Sequence, residues 1–175
     1  MKKLFRPYLT FLLLGSLLVA TTSCKDDDDP NPGPEPEDIA SARLTLEPEG
    51  KGALITINYS ASQQQPGALL LASKSYSGVL TLYDAEGNDI TSEISQDANM
   101  HEVFYEPSAG LGITVQKTDT DGNNRPVGLT TTLTTTNAGT GTMRVVLKHQ
   151  PDKGATSDVN KGSSDLDMTV NVVVQ

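Results

Sequence analysis

Apolar and polar residues alternate with a period of two through most of the chain after residue 38, as in half-buried β-strands. The clearest example is the C-terminal segment, where Leu166, Met168, Val170 and Val172 share one face. Eight earlier segments show the same pattern: residues 42–46, 54–59, 69–72, 79–83, 101–105, 113–116, 129–134 and 142–149. We therefore expect an all-β fold for residues 38–175, a single antiparallel, Ig-like β-sandwich of about nine short strands.

One segment departs from this pattern. Within residues 89–98, Ile90, Ile94 and Ala98 recur at helical spacing. This spacing predicts one short helix, and Thr91 is placed to cap its N-terminus.

The N-terminus has the pattern of a secretion signal. Basic residues precede a largely apolar stretch, residues 4–20, and small residues lead to Cys24, the only cysteine. The segment resembles the lipoprotein box of bacteria, although Thr21 stands where leucine is usual. We predict a signal peptide over residues 1–23 and lipidation, including palmitate, at Cys24. The alternative is a membrane-spanning anchor, for which the apolar run is about the minimum length.

Residues 24–37 combine the lipidated cysteine with an acidic, proline-rich stretch that has no apolar side chain to bury. Such a composition favours an extended tether. Its Lys25-Asp26-Asp27 start resembles the export signal of surface lipoproteins in one large group of Gram-negative bacteria. We expect a lipid anchor in the outer membrane that displays the domain at the cell surface. The alternatives are the inner leaflet of the outer membrane and a plain solvated spacer.

Charge and motifs restrict the possible functions. The net charge of −9 disfavours nucleic acid as a partner. The chain has no Gly-x-Ser-x-Gly elbow, no His-Glu-x-x-His pair and no phosphate-binding loop. We therefore assign no catalytic residues and predict that the protein is not an enzyme.

Two groups of residues have the chemistry of metal ligands. His101 and His149 are the only histidines, and with Glu102 or Asp152 they could bind Zn²⁺ or Cu²⁺. The alternative is ordinary packing at the rims of the sheets.

The second group is a short acidic loop. Asp119, Asp121 and Asn123 alternate around a glycine, and their oxygens could bind a Ca²⁺ ion. The alternative is a β-turn, in which aspartate, glycine and asparagine are favoured for local backbone reasons.

Residues 82–174 resemble a family of small β-rich outer-membrane lipoproteins. The matching segments are His-x-Val-Phe-Tyr at 101–105, Asp-x-Asp-Gly-Asn-x-x-Pro-Val-Gly-Leu at 119–129, and the motifs within 141–153 and 162–172. This family is often labelled "type 1 periplasmic-binding fold superfamily". That label describes a two-lobed α/β molecule, which neither the length nor the period-two pattern predicts here.

The resemblance implies an accessory lipoprotein that works with a TonB-dependent receptor. Combined with the metal-ligating residues, it leads us to expect a non-enzymatic binding or accessory module for uptake of a metal or small ligand. The alternative is a structural or adhesive surface module.

The anchor prediction is tested by two variants. Cys24→Ala should abolish acylation and remove the chain from outer-membrane fractions. Replacing the four aspartates at 26–29 by alanine should leave acylation intact but reduce surface display, measured as protease accessibility on whole cells. Unchanged accessibility in the second variant would refute the surface-signal interpretation.

Overall fold

The structure is a computed structural model that describes residues 38–60, 67–154 and 157–175. The predicted signal peptide, Cys24 and the tether lie outside the described residues. No helix among the described residues is long and apolar enough to cross a membrane.

Nine strands and two short helical segments follow one another along the described chain. The strands are β1 (Ser41–Pro48), β2 (Ile55–Ser60), β3 (Ala68–Leu70), β4 (Ser75–Tyr83), β5 (His101–Pro107), β6 (Ile113–Lys117), β7 (Thr130–Thr135), β8 (Gly139–His149) and β9 (Ser163–Val174). A helix, α1 (Thr91–Gln96), and a 3₁₀ turn, Ala98–Met100, stand between β4 and β5.

The strands form two sheets. One has the order β2-β1-β4-β7-β6, and the other has the order β3-β9-β8-β5. The all-β sandwich and its nine strands are thus confirmed, and each predicted segment overlaps one strand. One pairing differs from the expected antiparallel arrangement, because β3 runs parallel to β9. Parallel neighbours need a long connection, and here most of the domain lies between these two strands in the sequence.

The apolar faces of the two sheets form one core. On β8, Met143, Val145 and Leu147 are fully buried and belong to this core, and Val146 on the opposite face is buried as well. On β9, Leu166, Val170 and Val172 are buried on the predicted face, and Met168 is partly buried against the core. Branched and aliphatic side chains on alternate positions therefore supply the burial that stabilises the sandwich.

The predicted helix is present as α1, and Ile94 is its buried residue. The predicted cap is wrong, because the helix has Ile90 at its N-cap position and no side-chain cap. The hydroxyl of Thr91 instead accepts a hydrogen bond from the backbone N–H of Leu82, at 2.9 Å. This contact joins the helix to β4. The Thr91 hydroxyl therefore bonds to a neighbouring strand instead of to the backbone of its own helix.

Substitutions on the two faces of β9 test which face packs in the core. Val172 is fully buried between β3 and β8, whereas its neighbour Val173 is only partly buried. Val172→Asp should lower the free energy of unfolding by more than about 3 kcal/mol, because it buries an unpaired charge. Val173→Asp should cost clearly less in the same urea titration. Equal losses would contradict the assigned face.

Candidate metal site

The two histidines lie side by side in the second sheet. His101 begins β5, His149 ends β8, and the antiparallel register places them directly opposite each other. Their ring centroids are 4.6 Å apart, and the ring planes meet at 61°. His101 is 1% exposed and His149 is 4% exposed. The pairing of β5 with β8 therefore brings together two imidazoles that are 48 residues apart in the sequence.

A carboxylate from the neighbouring strand completes the group. The register between β8 and β9 shifts after Leu147, which pairs with Leu166, while Lys148 pairs with Ser164. Asp165 is therefore the extra residue of a β-bulge, a feature that re-aims side chains. Its side chain is fully buried, as is that of the adjacent Leu166. The bulge thus allows Asp165 to lie beside the histidines.

The three side chains converge on a small volume. His101 Nε2 lies 3.6 Å from Asp165 Oδ2, and His149 Nδ1 lies 3.8 Å from the same oxygen. One ligand atom from each residue can be chosen so that all three lie within 4.8 Å of one another. Among the described residues, this is the only such group of three histidine, cysteine or acidic side chains.

A hydrogen bond fixes which nitrogen of His101 faces this volume. His101 Nδ1 lies 3.0 Å from the backbone oxygen of Asp97. A carbonyl oxygen can only accept, so neutral His101 carries its proton on Nδ1 and leaves a lone pair on Nε2. An outer hydrogen bond of this kind is what orients histidine ligands in metal sites.

The remaining imidazole nitrogens make no hydrogen bond within the described chain. His101 Nε2 and both ring nitrogens of His149 are buried and make no hydrogen bond to any described residue. A buried polar atom without a hydrogen bond costs about 1–3 kcal/mol. Something that satisfies these nitrogens would therefore stabilise the fold.

Two imidazoles and one carboxylate are a common ligand set for a transition-metal ion. Ligand atoms in a tetrahedral zinc site lie roughly 3.3 Å apart, as follows from bond lengths near 2.0–2.1 Å. The two nitrogen–oxygen separations of 3.6 and 3.8 Å are only slightly wider. The two nitrogens lie within 4.8 Å of each other, so side-chain rotations would be needed to bring the three atoms onto one ion.

The sequence prediction named the wrong carboxylates for this group. Successive side chains of a strand point to opposite faces, so Glu102 leaves β5 on the other side from His101. There Glu102 is buried and bonded to the ammonium of Lys117, which also lies 4.2 Å from the centre of the Phe104 ring. Burial lowers the pKa of Lys117, while the hydrogen bond and charge of Glu102 oppose that shift.

Asp152 is also outside the group. It lies three residues beyond His149 on an exposed turn, with φ of 56°. Asp165 takes the place predicted for Glu102 or Asp152, and its proximity depends on the bulge. Strict alternation would put Asp165 on the outer face with Asp167, so the sequence pattern carries no signal for its role.

The Asp119–Asn123 loop has the geometry of a turn. The Asp119 carboxylate accepts the N–H groups of Gly128 and Leu129 at 2.7 and 2.9 Å. Asp121 Oδ1 accepts the N–H groups of Asn123 and Arg125 at 2.8 and 2.9 Å. These carboxylates are engaged by separate donors rather than directed to one point, which supports the turn interpretation; the Ca²⁺ site stays a prediction.

A buried ion pair connects this loop to the histidines. Lys153 Nζ lies 2.9 Å from Asp121 Oδ2, and both side chains are almost fully buried. Burial acts to raise the pKa of Asp121, but the hydrogen bonds from Lys153 and from the backbone outweigh it, so the pKa is lowered. Asp121 is therefore held as a carboxylate.

Comparison with known proteins adds little to this picture. No protein-family model and no curated protein matches the chain. One similar solved structure is the crystal structure of the S-layer protein SbsC domains 4 and 5, with 14% sequence identity and a TM-score of 0.33 over 75% of each chain.

Gly162 tests how tightly the segment before the bulge is packed against His149. Its φ is +70°, and a Cβ there would overlap the backbone oxygens of His149 and Gln150. Gly87 has a similar φ, +86°, but open space around it. Gly87→Ala should cost about 1–2 kcal/mol from backbone strain alone.

Gly162→Ala should cost at least about 1 kcal/mol more than Gly87→Ala, because overpacking is added to the same strain. Urea unfolding of the metal-free chain measures both variants. Equal costs would mean that the segment around Gly162 can move away from His149.

Proposed function

We propose that this chain is a lipid-anchored, non-enzymatic binding module of the outer membrane that holds one divalent transition-metal ion. The ligands are His101 Nε2, His149 Nδ1 and an oxygen of Asp165. Zn²⁺ and Cu²⁺ are the ions that suit two imidazoles and a carboxylate.

One observation carries this proposal. Three buried imidazole nitrogens lack hydrogen bonds within the described part of the chain, and they border a buried carboxyl group. In the apolar core of a sandwich, this arrangement is costly unless a further group satisfies the nitrogens. A metal cation bound to His101 Nε2 and His149 Nδ1 would satisfy two of these three nitrogens, and His149 would then carry its proton on Nε2.

The burial of the site affects whether a bound ion would be retained or exchanged. The three side chains are at most 5% exposed, so an ion could enter or leave only when the surrounding segments open. The three protein ligands leave the fourth position of a tetrahedral ion to another group, but their burial slows exchange of the ion with solvent. We therefore favour a retained ion that stabilises the module over a rapidly exchanged cargo.

The cellular setting is the less direct part of the proposal. The N-terminal pattern supports an outer-membrane lipid anchor at Cys24 and display at the cell surface. The family resemblance supports cooperation with a TonB-dependent receptor in uptake of a metal or small ligand. A retained ion fits that role if it maintains the surface that meets the receptor.

A structural or adhesive surface module is the second candidate. The side chains of Leu54, Leu69 and Leu71 are at least half exposed. Leu71 also lines a cleft of about 270 Å³ on an exposed face, together with Ile55 and Tyr76. Adhesion through this face would require no metal.

Metal binding is tested directly with the full-length Cys24→Ser chain, purified in detergent without a histidine tag. This background removes the only thiol and leaves His101 and His149 as the only imidazoles. We expect one Zn²⁺ per chain with a dissociation constant of about 1 μM or below, by calorimetry. His101→Gln, His149→Gln and Asp165→Asn should each weaken binding at least about 100-fold.

Asp167→Asn is the matched control for Asp165→Asn. Asp167 lies on the same strand but pairs with Arg144 on the exposed face, and that pairing lowers its pKa. This variant should bind Zn²⁺ as the parent does. Absence of Zn²⁺ and Cu²⁺ binding by the parent chain would refute the proposal, return the histidines to ordinary packing and leave the adhesive module as the better candidate.

A further inference from the structure

We infer that Lys153 is a positioning residue for the metal site, because its ammonium fixes the backbone of one histidine and the segment that follows the other. This inference rests on the proposed metal-binding function. It also gives a role to the Asp119–Asn123 loop, which supplies the counter-charge of Lys153.

All three donors of the Lys153 ammonium have acceptors. Lys153 Nζ donates to the backbone oxygens of Ala98 and His101, each at 2.9 Å, and to Asp121 Oδ2 at 2.9 Å. The Lys153 side chain is 6% exposed. An ammonium has three N–H groups, so its hydrogen-bonding capacity is fully used and its position is fixed from three directions.

These contacts hold His101 on its backbone side. The ring of His101 bonds through Nδ1 to the oxygen of Asp97, the residue that precedes the 3₁₀ turn. Lys153 binds the oxygen of Ala98, which begins that turn, and the oxygen of His101, which follows it. The Lys153 ammonium therefore holds the 3₁₀ turn in place beside Asp97, whose oxygen bonds to the ring of His101.

The same residue restrains the segment after His149. Lys153 lies four positions beyond this second ligand, and the N–H of Gln150 donates to the oxygen of Met100 at 2.6 Å. Gln150 and Asp152 both have positive φ, 52° and 56°. Such backbone conformations persist when surrounding contacts hold them, and the bonds of Lys153 are contacts of that kind. Lys153 thus fastens the end of β8 to the start of β5, where the two histidines meet.

Asp121 is the support of Lys153. Its other carboxylate oxygen accepts two backbone N–H groups of the turn, so the loop geometry sets where the carboxylate points. Outer partners that orient metal ligands affect metal affinity although they do not touch the ion. Lys153 and Asp121 are outer partners of this kind, because Lys153 bonds to the backbone of His101 and Asp121 bonds to Lys153.

The test compares Lys153→Met with Lys117→Met in the tag-free Cys24→Ser chain. Lys117 is a suitable control, because it is a partly buried lysine that pairs with the buried β5 carboxylate Glu102. The structure shows no hydrogen bond from Lys117 to His101. Both variants remove an ammonium and leave a buried carboxylate. We expect Lys153→Met to raise the Zn²⁺ dissociation constant about 10–100-fold, and Lys117→Met to raise it much less.

Two further measurements separate positioning from general stability. Urea unfolding of the metal-free chains gives the stability of each variant, and nitrogen-15 NMR of the imidazoles reports which ring nitrogen carries the proton. We expect Lys153→Met to give a mixture of His101 tautomers in the metal-free chain, while Lys117→Met keeps the Nδ1–H form. If Lys153→Met does not fold, Asp121→Asn provides the same test with a smaller expected loss of affinity.

The outcomes are distinguishable. Zn²⁺ binding by the parent with unchanged affinity in Lys153→Met, despite reduced stability, would overturn the positioning role and leave the metal site intact. Equal losses of affinity in Lys153→Met and Lys117→Met would overturn it as well. No Zn²⁺ binding by the parent would overturn the proposed function itself, and the inference with it.

Discussion

Strand β8 pairs with β5 on one side and with β9 on the other, and this double pairing sets the position of all three candidate ligands. The register with β5 places His149 opposite His101. The shifted register with β9 places Asp165 at a bulge beside the end of β8. A change of one residue in either register would move a ligand to the other face of the sheet.

The rest of the sandwich can maintain this register because one row of β8 side chains packs entirely in the core. Met143, Val145 and Leu147 are fully buried, and a slipped register would move them away from the core. The polar group therefore occupies the end of an otherwise apolar row. Burial of this polar group costs free energy, which the apolar core offsets. Buried polar groups in folded proteins must be satisfied by a partner.

The loop after β6 contributes through support rather than through ligation. Its carboxylates bind backbone N–H groups and the ammonium of Lys153, and these bonds connect the turn to the backbone of His101. A motif with the composition of a calcium loop can thus be bonded to a neighbouring site, and whether it also holds an ion stays a prediction. The difference depends on whether its oxygens converge, which composition does not reveal.

The sequence alone determined the nine strands, the short helix and the buried face of β9, because the alternation of side chains along a strand is a local property. It also named His101 and His149 as candidate metal ligands, and alternation alone would have excluded Glu102, since adjacent residues face opposite ways. Only the tertiary structure decided that the two histidines meet and that Asp165 joins them. Strand order, register and the bulge depend on contacts between residues far apart in the chain, and a one-residue bulge reverses the face that alternation predicts.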